Sequence, residues 1–113
     1  MTDCVFCAIA EGRAQADVVA EDDAWIAFRD LSPKAPSHVL VIPRRHIENI
    51  DGLAPDDAAL GGALLLACRE VARLEGLEGG YRVITNTRGD GGQVVPHLHL
   101  HVIGGRRLGW PPG

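Results

Sequence analysis

The chain has no apolar run long enough to cross a bilayer. Its first residues, Met1-Thr2-Asp3-Cys4, carry neither the basic flank nor the long apolar segment of a secretory leader, so the expectation is a cytoplasmic protein with no membrane partner. A basic surplus is missing too: 11 lysines and arginines stand against 15 aspartates and glutamates, a formal net charge of -4. Surfaces that track a phosphate backbone are usually basic, so this balance speaks against nucleic acid as a partner. It leaves open a single nucleotide held by backbone groups. Cysteines are few, three in all, and in a reducing compartment they point to metal ligands or free thiols rather than disulfides. No internal repeat or low-complexity tract divides the sequence, and residues 1–113 are read as a single domain with one core.

What the chain does have is histidine in one place. Three of its five histidines fall in Pro96-His97-Leu98-His99-Leu100-His101-Val102-Ile103. Strict alternation reads as a strand with a side-chain period of two. His97, His99 and His101 then share one face, and Leu98, Leu100 and Val102 share the other, which needs a core. Three imidazoles on one face are a poor choice for packing alone, because each brings two polar nitrogens that must be satisfied when buried. Two chemistries remain: a three-histidine metal site, or a site for phosphate chemistry. Adjacent alternate strand residues splay along a line and chelate one tetrahedral ion poorly without ligands from another strand.

The rest of the chain gives an alternating order of strands around one helix. Cys4-Val5-Phe6-Cys7 reads as a short helix or turn. Its C-x-x-C pair is half a zinc site, a redox pair or two buried thiols, and the βαβ context of a redox pair is missing. Val18–Ala20 and Ala24–Phe28 form a hairpin around Glu21-Asp22-Asp23, and Pro33 and Pro36 break the chain after it. His38–Ile42 is a third strand, near-continuously apolar except for His38. Arg44-Arg45 reads as a charged loop, and His46 follows it. Pro55-Asp56-Asp57 opens a helix whose stripe is Leu60, Leu64, Cys68, Val71 and Leu74, which makes Cys68 a core residue. Gly61-Gly62 inside it costs about 1 kcal/mol per glycine, which a closely approaching backbone would offset. Tyr81–Asn86 is a fourth strand, and the loop Thr87–Gln93 is rich enough in glycine to form an anion-binding nest ahead of the histidines. The ending Trp110-Pro111-Pro112-Gly113 cannot form regular structure; it is frayed or docked, for instance on a second subunit.

An imidazole can attack a nucleotide α-phosphate, given donors for the nonbridging oxygens. At this point the stretch Gly91-Gly92-Gln93-Val94-Val95-Pro96-His97-Leu98-His99-Leu100-His101-Val102 resembles the signature of the histidine-triad (HIT) superfamily, and most resembles its nucleotide-binding branch, the nucleoside phosphoramidases. Phe28–Pro33 with Ala35–His38, Asn86 and the Trp-Pro-Pro-Gly ending extend the similarity over almost the whole chain. The resemblance implies an α+β fold with a five-stranded antiparallel sheet, one long helix and a short N-terminal helix, in a homodimer whose C-terminal tail lies near the partner's site. It implies His99 as nucleophile, His101 as a phosphate-binding group and His38 as an assisting group. Asp30 would hold the ribose, Phe28 and Leu31 would line the base pocket, and Asn86, Gly92 and Gln93 would surround the phosphate. The substrate class implied is a purine nucleoside phosphoramidate; a dinucleoside polyphosphate and a non-catalytic nucleotide-binding role are the alternatives. Val94 departs from the serine or threonine often found there and has no proton to donate to a leaving group. The cysteines resemble those of a zinc-bearing subset, which implies a structural Cys4, Cys7, His46 and His97 site.

Overall fold

The computed structural model describes residues 4–113; residues 1–3, part of the stretch read for a leader, lie outside the described residues. In chain order come α1 (Val5–Ala10), β1 (Val18–Glu21), β2 (Trp25–Arg29), β3 (Ser37–Pro43), α2 (Ala58–Leu74), β4 (Tyr81–Ile84) and β5 (Leu100–Gly104). The strands form one antiparallel sheet in the order β1-β2-β3-β5-β4. This is the α+β arrangement expected, with one long helix and one short one.

β3 sits at the centre and is buried along its whole length, which explains its near-continuous apolar sequence. Its odd-numbered residues Val39 and Val41 join Ala27, Leu98, Leu100 and Val102 against Leu64, Ala67, Cys68 and Val71 of α2. Its even-numbered residues Leu40 and Ile42 join Ile26 and Phe28 on the other face, under Phe6 of α1. Truncating a core side chain as buried as Leu64, 2% exposed, costs roughly 2–5 kcal/mol.

α2 begins as expected after a 3-10 turn at Pro55–Asp57, where the Asp57 carboxylate accepts from Ala54 N–H at 2.8 Å. Of its expected stripe Leu64, Cys68 and Val71 are buried and Leu60 is half-buried against the core. Leu74 is 46% exposed, and Ala67 and Ala72 are buried instead. Leu77, beyond the helix, packs against the core where Leu74 was expected. Gly76, at φ +68°, turns the chain there in a conformation that favours glycine. Among the described residues no backbone approaches Gly61 or Gly62 closely: a Cβ at either position would meet nothing within 4 Å.

The histidine segment is a strand only from Leu100. Before it the chain bends, with His97 N–H donating to Val95 C=O at 2.9 Å and Leu98 N–H to Ile47 C=O at 2.6 Å. The alternation of faces survives the bend, since Leu98, Leu100 and Val102 all enter the same core. β4 also ends two residues early, at Ile84, leaving Asn86 at the mouth of the glycine loop. The tail is docked at its base, where Arg82 Nη2 donates to Gly109 C=O at 2.5 Å and Arg106 Nη2 to Lys34 C=O at 3.0 Å, whereas Trp110 is 82% exposed. Among the described residues no helix is long and apolar enough to cross a membrane.

Candidate functional site

The site is built on the α1 side of the sheet, where cross-strand pairs Phe28 with Leu40 and Leu40 with His101 set a row running from β2 to β5. His38 lies two residues before Leu40 on β3 and shares that face. Its Nε2 is 2.8 Å from His101 Nδ1, and the His101 ring is 5.0 Å from that of His99. Three of the expected residues, His38, His99 and His101, are therefore in mutual reach.

Partner chemistry fixes where the protons sit. His99 Nδ1 is 2.7 Å from His97 C=O, which can only accept, so Nδ1 carries the hydrogen and Nε2 of neutral His99 holds a lone pair. On His38, Nδ1 accepts the Lys34 backbone N–H at 3.0 Å, so the proton of the neutral ring is on Nε2 and points at His101 Nδ1. His101 then keeps its own proton on Nε2. Among the described residues neither His99 Nε2 nor His101 Nε2 has a hydrogen-bond partner. No buried side-chain nitrogen or oxygen goes unpaired among the described residues, so both atoms open to solvent. The result is a lone pair and an N–H donor side by side on one face, although the His99 residue as a whole is only 7% exposed.

Burial disfavours the charged forms of His38 and His101. It pushes His38 below the usual histidine range, partly offset by the Asp30 carboxylate 3.5 Å away. It lowers His101 to about 4, helped by the positive potential of His99 and His38. An unfolded chain protonates His101 near pH 6.5 and the folded one only near pH 4, so between these values protons favour unfolding. Stability is therefore full above about pH 6.5 and falls as the pH is lowered toward 4, on the order of 2–3 kcal/mol from this residue. Urea midpoints across that range should show a shallower acid slope for His101→Asn than for the parent; equal slopes would contradict it.

Asp30, His38 and His101 also place one ligand atom each within 4.8 Å of one another. A cation is disfavoured there, because the Lys34 N–H occupies His38 Nδ1 and leaves Nε2 protonated rather than coordinating. The other group differs. Cys4, Cys7, His46 and His97 bring their donor atoms equally close. His97 Nδ1 is 3.3 Å from Cys4 Sγ, 3.5 Å from Cys7 Sγ and 3.2 Å from His46 Nδ1, and Cys7 Sγ is 3.2 Å from His46 Nδ1. A tetrahedral ion with nitrogen at about 2.0–2.1 Å and sulfur at about 2.3 Å has edges of about 3.3–3.8 Å, so the cage is the right size. His97 Nε2 donates to Pro43 C=O at 2.9 Å, which turns the Nδ1 lone pair into the cage. His97 is completely buried, and desolvation lowers its pKa, favouring the neutral ligand form.

Beside the histidines is a cavity of about 240 Å³ lined by Phe28, Asp30, Leu31 and Leu40 and, from α1, by Val5, Phe6 and Ile9. Leu31 stands at its lip, 99% exposed. Asp30 Oδ1 accepts from Ser32 N–H at 2.7 Å, an Asx turn that holds the carboxylate in place. Across the site, the glycine loop is tightly closed. A Cβ on Gly91 would stand 2.3 Å from Thr87 C=O, and Gly92 has φ +80°. Asn86 Nδ2 donates to Gly91 C=O at 2.7 Å. The Gln93 amide is engaged by the loop and its neighbours. Its Oε1 accepts from Arg88 N–H and Asn49 Nδ2, and its Nε2 donates to Glu48 C=O and Val95 C=O. The side chain that the sequence did not single out is Phe6, in contact with His97, His99 and Phe28. The one available signal was an aromatic between two cysteines.

The sequence model of the HIT domain family matches residues 11–108. The chain belongs to the HIT family. Cys4 and Cys7 precede the matched residues. An uncharacterized HIT-like protein of Synechococcus elongatus is 49% identical over 111 residues, covering 98% of this chain and 97% of that one. Among solved HIT structures, a HIT family hydrolase of Legionella pneumophila superposes with a TM-score of 0.96 at 47% identity, covering 98% of this chain and 100% of that one. A histidine triad protein of Clostridium difficile gives a TM-score of 0.92 at 37% identity, with 96% of each covered.

Proposed function

We propose that this HIT protein is a nucleotide-binding hydrolase that cleaves purine nucleoside phosphoramidates at the α-phosphate and releases the nucleoside monophosphate. The observation that carries the reading is the pairing of a His99 Nε2 lone pair with a His101 Nε2–H, both open to solvent beside a nucleoside-sized cavity. In the first step His99 Nε2 forms a bond to phosphorus, and the phosphorus–nitrogen bond to the leaving amine breaks. The amine departs with the electron pair and takes a proton from solvent, because Val94 has none to give. His101 donates to a nonbridging oxygen, where charge builds. In the second step water bonds to phosphorus, its proton is lost to solvent, and the pair of the breaking phosphorus–His99 bond returns to Nε2. Asp30 would hold the ribose, and Phe28 and Leu31 the purine. Gly92 and Asn86 would frame the phosphate, and Gln93 would serve the loop rather than the ligand.

Val94, 89% exposed, favours a second reading, a dinucleoside polyphosphate substrate, because a phosphate leaving group needs no proton as it departs. Offering adenosine phosphoramidate, diadenosine polyphosphate and AMP to the purified protein tests both. AMP release from the phosphoramidate is the expected result. Faster cleavage of the polyphosphate would favour the second reading, and AMP binding without any cleavage would favour a non-catalytic adaptor.

We assign zinc to Cys4, Cys7, His46 and His97. Two thiolates and two imidazoles close a tetrahedron with no position left for water, so the ion would cross-link the chain rather than activate a nucleophile. A homodimer belongs to the same reading. Tyr81 and Val83 of the edge strand β4 and Leu65 and Leu66 of α2 are all exposed apolar side chains, and the exposed Trp110 gives the tail something to bury against the partner.

A further inference from the structure

We infer that Phe6 is a positioning residue through which the cysteine–histidine centre sets the geometry of the nucleotide site; this rests on the reading above. α1 has only six residues, far fewer than a helix needs to hold itself together in water. Its anchors are external. Cys4 and Cys7 reach the histidine pair, and Arg44 Nη1 donates to Ala10 C=O at 2.8 Å.

Phe6 stands between the two cysteines and is 7% exposed. Its ring meets three others at near-right angles: His99 at 5.1 Å and 81°, Phe28 at 5.5 Å and 69°, and His97 at 5.9 Å and 76°. One side chain therefore touches a residue of the metal cage, the attacking imidazole and the wall of the base cavity. With Val5 and Ile9 it also forms the α1 side of that cavity.

A single hydrogen bond, Nδ1 to His97 C=O, holds the His99 ring, and one bond leaves a ring able to tilt about it. The His101 ring at 5.0 Å and the Phe6 ring at 5.1 Å both limit that tilt, and Phe6 is the one of the two tied to α1 and its cysteines. A metal ion that fastens Cys4 and Cys7 fastens Phe6 with them. Metal occupancy is then read out as nucleotide affinity and as His99 alignment, although none of Cys4, Cys7, His46 and His97 lines the cavity.

The test compares Phe6→Ala and Phe6→Leu in the metal-loaded protein by metal content, AMP affinity by calorimetry, and kcat and KM on adenosine phosphoramidate. Both variants should keep the parent's metal stoichiometry. Phe6→Ala should weaken AMP binding and lower kcat, each by roughly 10-fold. Phe6→Leu refills the volume without the ring edge and should bring AMP affinity back to within about 3-fold, with kcat still roughly 10-fold down. Full recovery of kcat by leucine would reduce Phe6 to a space-filler and overturn the inference. Chelated parent protein that stays folded by circular dichroism should likewise bind AMP about 10-fold more weakly, and unchanged affinity would overturn the link to the metal. A parent that neither binds AMP nor cleaves the phosphoramidate defeats the proposed function itself; an active parent with indifferent variants defeats only the role of Phe6.

Discussion

Replacing His99 by alanine is expected to lower kcat by at least about 10⁴-fold while AMP affinity stays within about 3-fold. The size follows from the proton positions. Among the three clustered rings only His99 offers an outward lone pair; His38 has its Nε2 proton committed to His101, and His101 points an N–H at solvent. No neighbour can take over the attack, and loss of a nucleophile in a covalent mechanism costs on the order of 10⁴–10⁶. His99 itself does not line the cavity and meets its wall at the edge of the Phe6 ring, so binding of the product nucleotide should survive. Steady-state kinetics with calorimetric titration of AMP measures both. Turnover within 10-fold of the parent would remove His99 from the chemistry.

Chelation is the second large effect. Removing the ion from Cys4, Cys7, His46 and His97 should lower the melting temperature by about 10 °C or more. The centre joins chain positions 4, 7, 46 and 97, so it closes two long loops and acts as a cross-link whose loss costs about 3 kcal/mol. For a domain of this size each kilocalorie is worth roughly 4 °C or more. Cys7→Ser should melt near the chelated parent and respond little to further chelator. Calorimetric melts with and without chelator decide it; a chelated protein as stable as the loaded one would leave these residues as packing only.

Much of this arrangement was legible because it depends on period and side-chain type. Alternation separated Leu98, Leu100 and Val102 from the histidines, and the near-continuous apolar run of Val39–Ile42 marked the central strand. The strand reading overran at His97, where the backbone N–H bonds back to Val95 C=O in a bend and the ring bonds to Pro43 C=O. Leu74 lay on the helical stripe but beyond the sheet's reach, so Leu77 took its place after the Gly76 turn. The tautomers were out of reach of sequence reasoning. They are set by the carbonyls of His97 and Pro43 and the amide of Lys34, groups present at every position and informative only once the fold aims them. Gln93 is similar: a glutamine beside a glycine loop suits a phosphate, yet here its amide bridges the loop to Glu48 and Asn49. Phe6 was hidden because its partners are distant in sequence.

The central claim is that His99 Nε2 takes the nucleotidyl group. Rapid mixing with adenosine phosphoramidate labelled at phosphorus, quenching into alkaline denaturant to preserve a phosphorus–nitrogen bond, and peptide mapping test it directly. Label is expected on the peptide carrying His99, formed and lost at rates compatible with turnover and absent from His99→Ala. Turnover with no protein-bound label, or label on His38 or His101, would contradict it.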